Sequence, residues 1–239
     1  MFGINAELLI DHAWGYESCT IAQIRAYKPQ SSSLGCGQVL HCPYTADKAR
    51  IVVQEMIDGI SLELVEKRLV TDQLVLTVGY DIENLTRPEI RKVYKGPVTT
   101  DRYGRRVPKH AHGTWNLPRA TSSSSELLEA MAALYDKIVN PALLIRRMSL
   151  SACHVVNEKM AKEREQKETF EQLELFTDYA KKEAKEKEEQ KKRERERRMQ
   201  EALLTIKKKV RKNAVLRGMN FEEGATAKER NGQIGGHQA

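Results

Sequence analysis

The sequence predicts an α+β protein: a four-stranded sheet with two helices on one face, followed by a charged helical tail. Three observations predict it. Within residues 35–156 the apolar residues switch between helical spacing and strand alternation in the order β-α-β-β-α-β. Two candidate helices in that stretch carry cap signals at their starts, and the second a stop at Asn140-Pro141. Beyond it, from Lys181 to Gln200, 16 of 20 residues are charged with mixed signs, which leaves little to bury. Across all 239 residues, 40% are hydrophobic and 31% charged, enough for one modest core plus a stretch outside it.

Taken in order, residues 1–17 read as a short helix end. Asn5 is a suitable cap, Ala6, Leu8, Leu9, Ala13 and Trp14 follow at helical spacing, and Gly15 stops the run. A helix that short needs a partner for its apolar face. Residues 18–34 read as a linker, polar and aperiodic through Tyr27-Lys28-Pro29-Gln30-Ser31-Ser32-Ser33.

Gly37 to His41 is a short strand candidate. Thr45 to Lys67 is a helix whose Ala49, Val53, Met56, Ile57, Ile60 and Leu64 share a face, with Thr45 as cap. Asp72 to Tyr80 alternates as a half-buried strand does, with Leu74, Leu76 and Val78 on one side. Residues 81–110 hold Pro88, Gly96, Pro97, Gly104 and Pro108 and read as a long loop, so a hairpin through it pairs Ala111–Leu117 with the previous strand. A second helix opens at Ser122–Ser125 with a capping box between Ser123 and Glu126, and it stops at Asn140-Pro141. Ala142 to Val156 is the last strand. This order is the ferredoxin-like, split βαβ plan. One sheet face is then open. On the last strand Arg147, Ser149, Ser151 and Cys153 alternate with Met148, Leu150 and Ala152, so the open face is small and polar with a basic end.

Residues 157–239 read as a tail. Its charged run has Glu and Lys at spacings of three and four and no sustained heptad, which fits a solvated single helix. Asn213 to Ala239 regains apolar residues and glycines and reads as a short docking segment.

Forty Lys and Arg against 33 Asp and Glu give a formal charge of +7, which favours an acidic partner such as nucleic acid. Eight of these cations lie in residues 81–110 against four carboxylates. Arg102, Arg105, Arg106 and Lys109 fall where a hairpin tip projects, and such residues neutralise phosphates without reading sequence. Beyond the predicted domain, Gln172-Leu173-Glu174-Leu175-Phe176 concentrates bulky apolar anchors on a charged stretch and suits a tethered peptide ligand; its bland alternative is a helix stripe through Phe170, Leu173, Phe176 and Tyr179.

Several functions find no support. No run approaches a membrane span or a secretion signal, so a cytoplasmic protein with no membrane partner is expected. Cys19, Cys36, Cys42 and Cys153 form no CxxC pair, and His41-Cys42 and Cys153-His154 are too sparse for a metal site. No Gly-rich phosphate loop, nucleophile set or two-metal carboxylate pair occurs; Glu7 and Asp11, one helical turn apart, solvate a helix end. No catalytic residue, metal or cofactor is assigned.

Four segments carry a resemblance. Phe2-Gly3-Ile4-Asn5-Ala6-Glu7-Leu8-Leu9-Ile10-Asp11-His12-Ala13-Trp14-Gly15 resembles the end of the thumb helix-hairpin-helix of Y-family translesion DNA polymerases, in the UmuC and ImpB/MucB/SamB branch. Ser33-Leu34-Gly35-Cys36-Gly37-Gln38-Val39-Leu40 resembles the entry to that family's little finger, and the β-α-β-β-α-β order is that domain's plan. Gln172 to Phe176 is similar to the family's sliding-clamp peptide. Asn213 to Asn220 and Glu229 to His237 are similar to UmuC-like C-termini. The resemblance implies a thumb end at 1–17, a linker at 18–34, a little finger at 35–156 and a tail at 157–239 holding the clamp peptide at 172–176.

It further implies duplex template-primer DNA and the bacterial sliding clamp as partners, a nucleoid-associated place, and a role in DNA repair and SOS-type damage tolerance. Ser33, Gln38, Arg146 and Arg147, with Arg102, Arg105, Arg106 and Lys109, are the expected backbone contacts. Gln172, Leu173, Leu175 and Phe176 are the expected clamp contacts. The family's palm, which carries the carboxylates that hold Mg²⁺, has no counterpart here, so nucleotidyl transfer is not carried over and the chain alone is expected to be inactive. The alternatives are a stand-alone single-strand-binding module, for which Tyr80 and Trp115 are the main stacking aromatics, and a non-catalytic competitor for the clamp.

Overall fold

Strict alternation of apolar with small or polar residues builds the sheet on which everything else packs. The computed structural model describes residues 6–27, 32–101, 103–168, 179–234 and 237–238. They divide into two units, Met1–Ser31 and Ser32–Ala239.

The first unit holds α1 (Ala6–Ala13) and α2 (Ile21–Ala26). The second helix was not expected, because residues 18–34 read as linker. Its signal is a capping box: Thr20 Oγ1 accepts from the Gln23 amide at 3.3 Å, and the Thr20 amide donates to Gln23 Oε1 at 2.8 Å. Leu8, Leu9, Ile10, Trp14, Ile21 and Ile24 are all exposed.

The second unit contains β1 (Leu34–Tyr44), α3 (Ala46–Lys67), β2 (Leu69–Tyr80), β5 (Ala111–Thr121), α6 (Ser124–Ile138) and β6 (Ile145–Cys153) in the expected β-α-β-β-α-β order. The spatial order is β1-β6-β2-β5, with every neighbouring pair antiparallel. β1 and β2 are thus parallel with β6 between them, and β5 and β6 enclose β2. Two split βαβ crossovers interleave, so both helices lie on one face. Leu74, Leu76, Val78, Ile145, Leu150 and Ala152 point to that face at 0% exposure. They meet Val53, Ile57 and Leu64 of α3 and Leu127, Met131 and Leu134 of α6. Full burial of such a side chain contributes about 1.5–3 kcal/mol, so this layer is the main source of stability.

Helix α6 starts where the sequence places it. Ser123 Oγ accepts from the Glu126 amide at 3.3 Å. The Glu126 carboxylate does not close the box; it pairs with Arg119 and Arg193. The stretch 81–110 is more ordered than a loop. It forms α4 (Glu83–Thr86), α5 (Pro88–Val93) and a small hairpin of β3 (Val98–Thr100) and β4 (Arg106–Pro108). Asn84, fully buried, holds this excursion to the sheet: its amide donates to the Asp81 and Leu144 carbonyls, and its Oδ1 accepts from the Leu144 amide at 2.7 Å.

Residues after β6 also depart from expectation. β7 (Val156–Asn157) pairs with the start of β2 and leads into α7 (Glu158–Glu168). The charged run belongs to α8 (Tyr179–Lys209), and from Arg193 on it is anchored rather than solvated. Glu196 accepts from the Ser125 amide at 2.8 Å and from the Ser123 and Ser125 hydroxyls, which places a carboxylate at the N-terminus of α6. Gln200, 1% exposed, donates to the Ser122 carbonyl and to Ser124 Oγ.

The C-terminal segment docks on α3, as its composition suggests. Glu55, 4% exposed, accepts from Asn220 Nδ2, the Thr226 amide, Thr226 Oγ1 and the Ala227 amide at 2.8–3.1 Å. Arg217–Asp58 and Lys48–Glu223 flank it at 2.8 and 2.6 Å. These contacts fix a 3₁₀ turn (Gly218–Phe221) and α9 (Ala227–Arg230). Glu55→Ala leaves two amide N–H groups and the Asn220 side chain without their acceptor. It should cost about 2 kcal/mol or more in urea unfolding and speed hydrogen exchange over 218–230 far more than in the sheet.

Candidate nucleic-acid interface

The sheet face away from α3 and α6 is uncovered by any described element of its own unit. Register defines its rows. One row runs Gly37, Ser149, Thr77, His112 across β1, β6, β2 and β5. A second runs Gly35, Ser151, Val75, Thr114, and a third Val39, Arg147, Gly79. Cys153, Gln73 and Asn116 form the opposite margin. Thr77 Oγ1 lies 2.9 Å from His112 Nδ1, and Gln73 Nε2 donates to Asn116 Oδ1 at 2.9 Å. The predicted alternation of Arg147, Ser149, Ser151 and Cys153 against buried Met148, Leu150 and Ala152 is present. Glycine and hydroxyl side chains keep this surface low, so a broad ligand can approach the backbone closely.

The basic end is built by a β-bulge. Gly79 pairs with Arg147 and Tyr80 with Ile145, so Arg146 is the extra residue in β6. Ile145 and Met148 both stay in the core, while Arg146 and Arg147 between them line one depression with Val39. The two arginines are not equivalent. Arg146 Nη1 donates to the His41 carbonyl at 2.9 Å, and its Nε lies 3.7 Å from Asp81. Arg147 has no ion pair among the described residues and lies flat over Gly79. A β-carbon there would sit 2.5 Å from Arg147 Cγ and 2.6 Å from its Nε.

The other expected contacts separate. Ser33 is exposed just ahead of β1, on the alternation of Gly35 and Gly37. Gln38 belongs to the opposite face, since its partner Met148 is a core residue. Its side chain is taken by the C-terminal segment: Nε2 donates to Thr226 Oγ1 at 3.0 Å, and Oε1 accepts from Arg230 Nη1 at 2.9 Å. Arg105 is a turn residue. Its Nε donates to Asp101 at 2.9 Å and its guanidinium stacks over Tyr103 at 5.0 Å. Burial works to raise the Asp101 carboxyl, but the Arg105 amide, the Arg105 guanidinium and the Tyr103 amide outweigh it and hold it below the ordinary value. Arg106 and Lys109 are exposed on the hairpin and make no ion pair among the described residues. Arg102 and the stretch Gln172 to Phe176 lie outside the described residues.

The aromatic candidates for base stacking are not on this surface. Tyr80 is buried, and its hydroxyl accepts from the Asn140 amide at 2.9 Å. Trp115 pairs with Leu74 and packs against the core. Sequence reasoning missed Tyr103, exposed at the hairpin tip beside the arginines; the signal was the Asp101-to-Arg105 turn, visible only once Asp101 Oδ1 is seen to cap the Tyr103 and Arg105 amides at 2.9 Å.

No group of three or more His, Cys, Asp or Glu side chains that could hold a metal occurs among the described residues. No helix there is long and apolar enough to cross a membrane. All four cysteines are free, and burial pushes the Cys36 thiol up to about 11.

No family model and no curated protein sequence matches the chain. Among solved structures, one described as a complex of the beta-clamp processivity factor and the little finger domain of PolIV is similar at a TM-score of 0.34 and 9% identity, covering 61% of this chain and 100% of that one. Likeness at that level leaves fold and function to be argued from the residues.

Two outcomes follow from the geometry. Gly79→Ala should displace the Arg147 side chain, seen as a moved Arg147 Nε–H resonance with core amide resonances unchanged; an unmoved resonance would contradict the contact. With iodoacetamide at pH 8, a thiol at about 11 is only about one part in a thousand thiolate. Exposed Cys42 should therefore be alkylated well before Cys36, as mass spectrometry of the peptides would reveal.

Proposed function

We propose that residues 32–239 bind the sugar–phosphate backbone of duplex DNA across the open sheet face, and that Gln172 to Phe176 binds a sliding clamp. In this reading the chain supplies the DNA-holding and clamp-holding parts of a Y-family translesion polymerase, with no nucleotidyl transfer of its own. The observation that carries it is Arg147, without an ion pair among the described residues and laid across Gly79 at the end of a surface rich in glycine, serine and threonine. A face so low admits a wide, regular ligand, and hydroxyls and main-chain groups can reach phosphate oxygens there. Ser33, Arg147, Arg106 and Lys109 are the contacts, with Arg146 acting mainly to hold β1 to the bulge. Gln38 and Arg105 drop out because each is already bonded within the fold.

Such contacts read no sequence, which suits a protein that must accept damaged template. The absence of Phe, Tyr and Trp from the paired positions of this face weighs against a single-strand module that stacks bases across its sheet.

Fluorescence anisotropy of the full chain with a labelled primer–template across a salt series tests the DNA reading. Affinity should fall steeply with salt, and Arg147→Ala should weaken binding while reducing the log–log salt slope by about one. Equal affinity for wild type and Arg147→Ala at every salt would refute the assignment of the face. Leu175→Ala with Phe176→Ala should abolish binding to a bacterial sliding clamp in a pull-down and leave duplex affinity unchanged. A clamp complex that survives the double change would remove the peptide from the proposal.

A further inference from the structure

At the end of the open face, the hairpin tip and the bulge enclose a depression of about 560 Å³. Tyr103, Arg105, Arg146, Arg147 and Val39 are among its walls. Tyr103 is 66% exposed even though the Arg105 guanidinium covers its ring at 5.0 Å. That pair is held rigidly. Asp101 accepts from the Tyr103 amide, the Arg105 amide and Arg105 Nε, each at 2.9 Å, so the turn, the guanidinium and the ring are fixed by one carboxylate. An exposed large aromatic at a loop tip is costly to hydration, and here the chain orders it rather than folding it away.

We propose that Tyr103 is a stacking platform for an unpaired nucleobase at the point where a duplex ends and a single strand continues. The inference rests on the duplex reading above. Three features point to a base. The Arg105–Tyr103 pair presents a flat, preordered surface of the kind on which bases stack, and every base has a face to offer, so no sequence is read. The guanidinium of Arg147, which has no ion pair among the described residues, stands at the same depression and can hold the phosphate that joins the last paired nucleotide to the first unpaired one. Tyr103 lies at the margin, whereas the paired rows of the open face carry no Phe, Tyr or Trp, which separates a region for paired nucleotides from one for an unpaired nucleotide.

Anisotropy with the full chain tests this using three probes of equal duplex length: blunt, carrying a 5′ single-stranded extension, and carrying one internal bulged base. Wild type should bind the extended probe at least about fivefold more tightly than the blunt one, the lower end of what one stacked base contributes. Tyr103→Ala should lose that preference and keep the blunt-duplex affinity, whereas Tyr103→Phe and Tyr103→Trp should retain it. Because Tyr103 is exposed, none of these changes disturbs the core. A 2-aminopurine at the first unpaired position should be quenched by wild type and not by Tyr103→Ala. Equal binding of blunt and extended probes, or a preference that survives Tyr103→Ala, overturns the proposal. A preference for the bulged probe that Tyr103→Ala removes would keep the stacking site and move its ligand to an extruded base. Loss of all duplex binding by wild type would instead fail the reading beneath it.

Discussion

The bulge in β6 is the constraint on which the exposed face depends. Without an extra residue opposite the Gly79–Tyr80 step, alternation would send one of Arg146 and Arg147 into the core. A charged guanidinium there, unpaired, would cost several kcal/mol. The bulge removes that conflict and sets both arginines at one end of the sheet. It then divides their work: Arg146 ties β1 and Asp81 to the strand, and Arg147 stays available over a glycine. Gly79 is needed for that arrangement because any side chain would occupy the space in which Arg147 lies.

The other side of the molecule is closed by polar contacts. Helix α3 is apolar toward the sheet, yet its outer side carries Lys48, Glu55 and Asp58, which in isolation would read as a solvated face. Each is taken by the C-terminal segment. Glu55 is the centre, since its carboxylate accepts the first amides of α9 together with a side-chain amide and a hydroxyl. The same segment reaches the edge strand through Arg230 and Gln38, so β1 is held from behind while Gly35, Gly37 and Val39 remain free in front. Opposite faces of one edge strand therefore have separate tasks.

Legibility in the sequence followed periodicity. The two long helices and the strands β2 and β6 were readable because each repeats apolar residues over many positions, and the Ser123 cap could be placed from four residues; β1 was legible only over Gly37–His41, and β5 chiefly as the strand a hairpin would pair with β2. The face of β6 was readable for the same reason. What periodicity could not reach was register. Gln38 looked suitable beside Gly37, but one position along a strand reverses the face, and pairing with Met148 puts it behind the sheet. The bulge was invisible for a related reason: two adjacent arginines look alike until their partners are known. The short elements between 81 and 110 are fixed by single buried groups, above all Asn84, and a single asparagine has no period. The anchored half of α8 was misread because mixed charge at helical spacing looks solvated whether or not Ser123, Ser125 and Ser122 wait opposite.

The two parts of the proposed function have opposite physical requirements, and the chain keeps them apart. Holding a duplex by its backbone demands a rigid, low surface and gives an affinity that salt weakens and sequence does not strengthen. Holding a clamp demands a few apolar anchors that can enter a partner's pocket, which a folded sheet cannot supply without exposing its core. In the sequence Gln172 to Phe176 falls between α7 and α8, and Glu158 at the start of α7 pairs with Arg197 in the middle of α8 at 3.3 Å. Two modest sites joined in this way act through effective concentration. Once one is engaged, the other meets its ligand as an intramolecular event, and neither needs high affinity alone. A backbone-binding face that must move along DNA and accept distorted template works best when its own grip is weak, so the tether makes a weak face sufficient.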